Sequence, residues 1–140
     1  MASAVFNKFK QRIMDGTIDL DTDDIRVALF SSAYTVDIDA HENWSDISSD
    51  EISEVTTGYT AGGTPLEVTI SIDDTDDEGV FDAADAIWTS STIVARGAII
   101  YDVTATSSPL VCWIDFAADK SSSAGDFKIT WASEGILNLG

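Results

Sequence analysis

Between Ile93 and Phe116 the chain reads Ile-Val-Ala-Arg-Gly-Ala-Ile-Ile-Tyr-Asp-Val, breaks at Thr104-Ala-Thr-Ser-Ser-Pro109, and resumes as Leu-Val-Cys-Trp-Ile-Asp-Phe. The break has the Ser/Thr/Pro composition of a connecting loop. In the first run Val94, Ala98 and Ile100 share a face with Arg96, while Ala95, Gly97, Ile99, Tyr101 and Val103 share the other. In the second, Leu110, Cys112, Ile114 and Phe116 oppose Val111, Trp113 and Asp115. Successive strand residues point to opposite faces, so runs that are apolar on both faces are covered on both sides. The expectation is a central antiparallel pair. Gly97 has no side chain to pack and marks a bulge or the close approach of another chain.

Further strands follow from the same periodicity. Asp24 to Phe30 places Ile25, Val27 and Leu29 on one face, and Leu66 to Ile72 alternates Leu66, Val68, Ile70 and Ile72 inward with Glu67, Thr69 and Ser71 outward. Val80-Phe81 and Ala86 to Thr89 are short strands, the second anchored by Trp88. Ala117 to Gly125 reads as a polar turn, Asp126 to Ala132 as a strand with Phe127, Ile129 and Trp131 inward, and Ile136 to Leu139 as a short edge segment. About seven short strands with polar turns predict a mainly β fold, an antiparallel β-sandwich or flattened barrel with a short N-terminal α-helix. The expected division is 1–16, an amphipathic helix or arm, and 17–140, a single β-sandwich domain. At 140 residues the chain suits one core, with roughly two thirds of the unfolded surface buried on folding.

Charge is distributed unevenly. Residues 1–12 hold three cations and no acid, giving +3; residues 13–140 hold four cations and 25 acids, giving −21. A body so acidic repels phosphates, which argues against nucleic-acid binding. No apolar run approaches the ~20 residues that span a bilayer, and no apolar stretch follows the basic start, so neither membrane insertion nor a signal peptide is expected. One cysteine, Cys112, precludes an internal disulfide and reads as a buried inert thiol.

Residues 2 to about 14 form an amphipathic pattern, with Val5, Phe6, Phe9 and Ile13 on one side and Lys8 and Arg12 beside them; Asp15-Gly16 supplies the stop. Such a helix is marginal alone, so its phenylalanines are buried either on this domain or on a partner. Phe6, Lys8, Phe9, Lys10 and Arg12 are therefore the candidate attachment residues. Residues 31–63 form a long excursion in which Trp44, Ile47 and Ile52 pin a helical turn or two, and whose Tyr34, Trp44 and Tyr59 offer stacking surfaces for a glycan or form a satellite core. The sole histidine, His41, lies there without identifiable partners and reads as a loop residue.

Two acidic segments invite comparison with calcium loops. Counting from Asp19, the sixth position is Asp24 rather than glycine and the twelfth is Phe30, so the first segment fails. From Asp74 the match is better, with Asp76 and Glu78 at positions 3 and 5, Gly79 at 6 and Asp85 at 12. Strands rather than helices bracket it, so a solvated β-turn is expected. Asp74, Asp76, Glu78 and Asp85 remain the metal candidates, and no cofactor is expected. Gly-x-Ser-x-Gly is absent and His41 has no assigned triad partner, so no enzymatic activity is expected.

The order of several segments resembles that of small structural proteins of tailed bacteriophages. These segments are Met14-Asp-Gly-Thr-Ile-Asp-Leu-Asp-Thr-Asp23, Ile25-Arg-Val-Ala-Leu29, Gly58-Tyr-Thr-Ala-Gly-Gly63, Ala98-Ile-Ile-Tyr101, Trp113-Ile-Asp-Phe116 and Asp126-Phe-Lys-Ile-Thr-Trp131. The similarity implies a non-enzymatic virion component made in the host cytoplasm. A capsid decoration (cement) protein binding the major capsid protein or other virion proteins is the first expectation, and a minor tail, fibre or adhesin-type module binding host glycans the alternative. It carries over no catalytic residue. A homo-oligomer is expected, a trimer by analogy with decoration proteins at local threefold positions.

Overall fold

The computed structural model describes residues 2–52 and 58–140; position 1 of the N-terminal arm and positions 53–57 of the long excursion lie outside the described residues. The chain is mainly β, with two antiparallel sheets and one short N-terminal helix, and the sheets do not close into a barrel. The strands are β1 (Ala4–Val5), β2 (Ile25–Phe30), β3 (Thr64–Pro65), β4 (Val68–Asp73), β5 (Glu78–Ala83), β6 (Ala86–Asp102), β7 (Leu110–Ile129) and β8 (Leu137–Leu139); helix α1 spans Asn7–Met14. The first sheet has the order β1-β7-β6-β2-β3 and the second β4-β5-β8.

The two-sided apolar pair is central, as its periodicity requires. Within β6 and β7, Gly97 to Asp102 and Leu110 to Trp113 are all buried. One face is closed by aromatic residues of the excursion. The Tyr34 ring meets Phe30 and Trp113 edge-on at 5.3 and 5.0 Å, and Trp44 stacks on Tyr101 at 4.2 Å. Gly97 makes this packing possible, because a Cβ there would overlap the Trp113 ring and the Ile114 carbonyl oxygen. A register shift between Ala95 and Gly97 confirms the bulge, and the close neighbour is this chain's own tryptophan.

Three expectations are corrected. Ala117 to Gly125 is not a turn: β7 runs on through it to Ile129 and pairs with β6 down to Ala86. That polar stretch holds together sideways, the Ser91 hydroxyl lying 2.8 Å from that of Ser122 and donating to the Gly125 carbonyl. Irregularity survives as positive φ at Ala117 and Ala124. Second, Val94 is exposed rather than part of the covered face, because two-sided burial begins only beyond the bulge. Third, Ile70 and Ile72 do not point into a core; they are 44% and 75% exposed.

The N-terminal segment belongs to the domain. Strand β1 pairs with β7, the Phe6 amide donates to the Val111 carbonyl, and the Phe6 and Phe9 side chains are buried in the core. Helix α1 therefore begins at Asn7, later than the pattern suggests, and stops where Gly16 takes a positive φ of 80°.

Candidate interaction surfaces

Burial divides the expected attachment residues. Phe6 and Phe9 are enclosed by their own domain and cannot form the apolar part of a contact in this conformation. The apolar side of α1 turns inward because an eight-residue helix gains too little from its own hydrogen bonds to stand free. The cations stay outside: Lys10 is exposed and donates to Asn7 at 3.0 Å, while Lys8 and Arg12 are half-buried. Arg12 donates to the Glu42 carbonyl at 2.8 Å, tying the helix to the excursion. What remains for a partner is a small basic patch without its phenylalanines.

The three aromatic candidates are likewise committed inward. Tyr34 and Tyr59 are buried and Trp44 is half-buried against Tyr101 and Phe30. They pack in or against the main core rather than forming a satellite cluster or a stacking platform. Tyr59 donates its hydroxyl to Glu51 at 2.6 Å and accepts the Leu29 amide at 3.0 Å; burial, then the Glu51 carboxylate, raises its pKa. Burial also raises the pKa of Tyr34, and raises that of Tyr101 to about 12. The expected helical turns exist as two 3₁₀ segments, Trp44–Asp46 and Ser48–Asp50, with Ile47 and Ile52 buried. The Nδ1 of His41 faces the Tyr34 hydroxyl at 3.0 Å and accepts the Asp37 amide at 3.2 Å, which places the ring proton on Nε2. Cys112 is buried, and burial pushes its thiol up to about 12.

The acidic segment after β4 is a hairpin turn. Asp73 Oδ1 accepts the Thr75 and Asp76 amides at 2.8 and 3.3 Å, and Asp77 takes a positive φ of 57°. This geometry brings Asp73, Asp76 and Glu78 together, with one oxygen of each within 4.8 Å of the others. The expected set is corrected at two positions. Asp74 is not in the group, and Asp85 instead pairs with Lys128 at 3.4 Å and accepts the Trp131 amide. Period-2 spacing explains the substitution: Asp73 closes β4 opposite Glu78, a register that a helical-loop template misses.

Two features escape sequence reasoning. Asp102 is fully buried; its Oδ1 accepts the Thr104 and Ala105 amides at 2.8 and 3.2 Å, while Oδ2 has no donor among the described residues. Burial first, and then the facing Asp23 carboxyl, raises the Asp102 pKa to about 7. The two carboxyls belong to positions 79 residues apart, a proximity that no local pattern signals. The second feature is the edge of the smaller sheet. Strand β4 pairs with β5 alone among the described residues, and the carboxylates of Asp73, Asp74 and Asp82 lie beside its exposed Ile72. Residues 27–95 contain 15 acids and no lysine or arginine, a count that was legible in the sequence.

Comparison with protein families, with curated proteins and with solved structures yields no match. Among the described residues no helix is long and apolar enough to cross a membrane.

Proposed function

We propose that this protein is a non-enzymatic structural component of a bacteriophage virion, a capsid decoration protein that attaches to the outside of the head. The observation that carries the reading is the contrast between a committed interior and the open β4 edge. Groups that would serve chemistry or glycan stacking, namely His41, Cys112, Tyr34 and Tyr59, are engaged or buried within the fold, whereas β4 offers an outer edge that is unpaired among the described residues and carries exposed isoleucines. A rigid acidic body with a free strand edge is suited to binding another protein by strand addition.

The virion role itself rests on the phage resemblance, and most of the segments that carry it lie in or against one sheet. Ile25 to Leu29 lies in β2, Ala98 to Tyr101 in β6 and Trp113 to Phe116 in β7; Gly62 accepts the Tyr101 hydroxyl, and Gly63 packs so closely on Val27 that a Cβ would overlap its carbonyl. The trimer is part of the proposal on resemblance alone, because the two-sided apolar pair that suggested it is covered by this chain. Co-sedimentation of the purified protein with empty capsids of the encoding phage tests the proposal. Saturable binding supports it; no binding to capsids at micromolar protein overturns it.

A further inference from the structure

Strand β4, Val-Thr-Ile-Ser-Ile-Asp, consists of β-branched and hydroxyl residues up to its last position, and both its faces are wet at the centre. Paired residues share a face, so the register Ile70–Phe81–Leu137 and Ile72–Gly79–Leu139 aligns two rows of one apolar surface. The first row is anchored, since Phe81 is buried in the core. The second projects beyond it: Ile72 is 75% exposed, Leu139 is 76% exposed, and a Cβ at Gly79 between them would touch nothing nearer than 3.8 Å. The result is a shallow apolar trough open to solvent and bordered by a strand edge. Alternate backbone amides and carbonyls of β4 point outward from that edge without partners among the described residues. An exposed apolar edge of this kind is a template for another strand.

Charge selects the occupant. The carboxylates on β4, its flanks and its partner strand include Glu67, Asp73, Asp74, Glu78 and Asp82, and neither β4 nor β5 carries a lysine or arginine. A second copy pairing antiparallel about Ile70 would set Glu67 of each chain opposite Asp73 of the other, and like charges facing across strands oppose pairing. A basic segment would gain where a second copy loses.

We propose that β4 binds an extended segment of another protein by strand addition, the segment carrying apolar residues at alternate positions and lysine or arginine at its ends. Main-chain hydrogen bonds to β4 supply affinity, Ile70 and Ile72 receive the apolar side chains, and the flanking carboxylates fix orientation. The inference rests on the reading of the chain as an attachment protein, and a free peptide separates the two: failure with peptide leaves capsid binding to be judged independently.

The probe is a labelled synthetic peptide of alternating valine and threonine with two lysines at each end, followed by fluorescence anisotropy against the whole protein. Binding in the micromolar range is expected, weakened about tenfold or more by the uncharged double substitution Ile70→Thr/Ile72→Thr. Methylating alternate peptide nitrogens on the pairing edge removes binding, and glutamate in place of the terminal lysines does the same. No binding by the lysine peptide, equal binding of the N-methylated peptide, or equal binding to the double variant each overturns the proposal. So does sedimentation in which the wild type self-associates and the double variant is monomeric, because the edge would then belong to a second copy.

Discussion

Replacing Phe6 with alanine tests whether the N-terminal segment is structure or anchor. Its side chain has no exposed surface, its amide bonds to Val111, and the strand before it pairs with β7. Truncating a buried phenylalanine costs about 3–5 kcal/mol through lost transfer energy and the cavity left behind. With a urea m-value of about 2 kcal/mol/M, the denaturation midpoint should fall by about 2 M. Tryptophan fluorescence and far-UV circular dichroism, followed together through a urea titration, read this directly. Met14→Ala is the control, since Met14 is 82% exposed and its loss should change stability by about 0.5 kcal/mol at most. Deleting residues 2–14 removes Phe6, Phe9 and β1 together, which approaches the ~5–15 kcal/mol total of an ordinary domain and should leave no cooperative transition. A Phe6→Ala loss below about 1 kcal/mol would refute the reasoning and restore the segment as a separable arm.

Gly97→Ala should destabilise by about 1–3 kcal/mol or more in the same titration, because the added methyl meets the buried Trp113 ring and the Ile114 carbonyl; a neutral result would show that the bulge relaxes freely. Asp102 has a folded pKa raised above its unfolded value, so its contribution is fully present below about pH 4 and is lost as pH rises through about 7. The stability of Asp102→Asn relative to wild type should accordingly improve from pH 4 to pH 8, and a pH-independent difference would contradict the raised pKa of the buried carboxyl. Tyr59→Phe leaves the Leu29 amide and Glu51 without a hydroxyl partner and should cost about 1–3 kcal/mol by chemical denaturation. Melts in chelator and in millimolar calcium should nearly coincide, since Asp73 already holds the β4–β5 turn through two amides; occupancy at 100 times Kd would instead add about 2.7 kcal/mol.

The sequence disclosed what strict alternation encodes and obscured what depends on distant neighbours. Ile25 to Phe30 and the central pair were legible because each apolar position has a fixed face. Ala117 to Gly125 was not, since serine, alanine and glycine read as a turn until the paired strand supplies Ser91 and its hydroxyl network. Ile70 and Ile72 obey the same alternation as a buried strand, and only the overhang of the second sheet past the core shows them to be surface. Phe6 and Phe9 were equally compatible with either destination, a choice made by β1 pairing with β7 at a separation of more than 100 residues. The carboxyl pair of Asp23 and Asp102 is invisible for the same reason.

Cryo-electron microscopy of the phage particle tests the central claim most directly. The account predicts density for this two-sheet fold on the capsid exterior, with an extended basic segment of a neighbouring protein alongside β4 and the Phe6 region facing its own core. Density confined to the tail, no copy on the particle, or a copy whose β4 edge faces only solvent would contradict it.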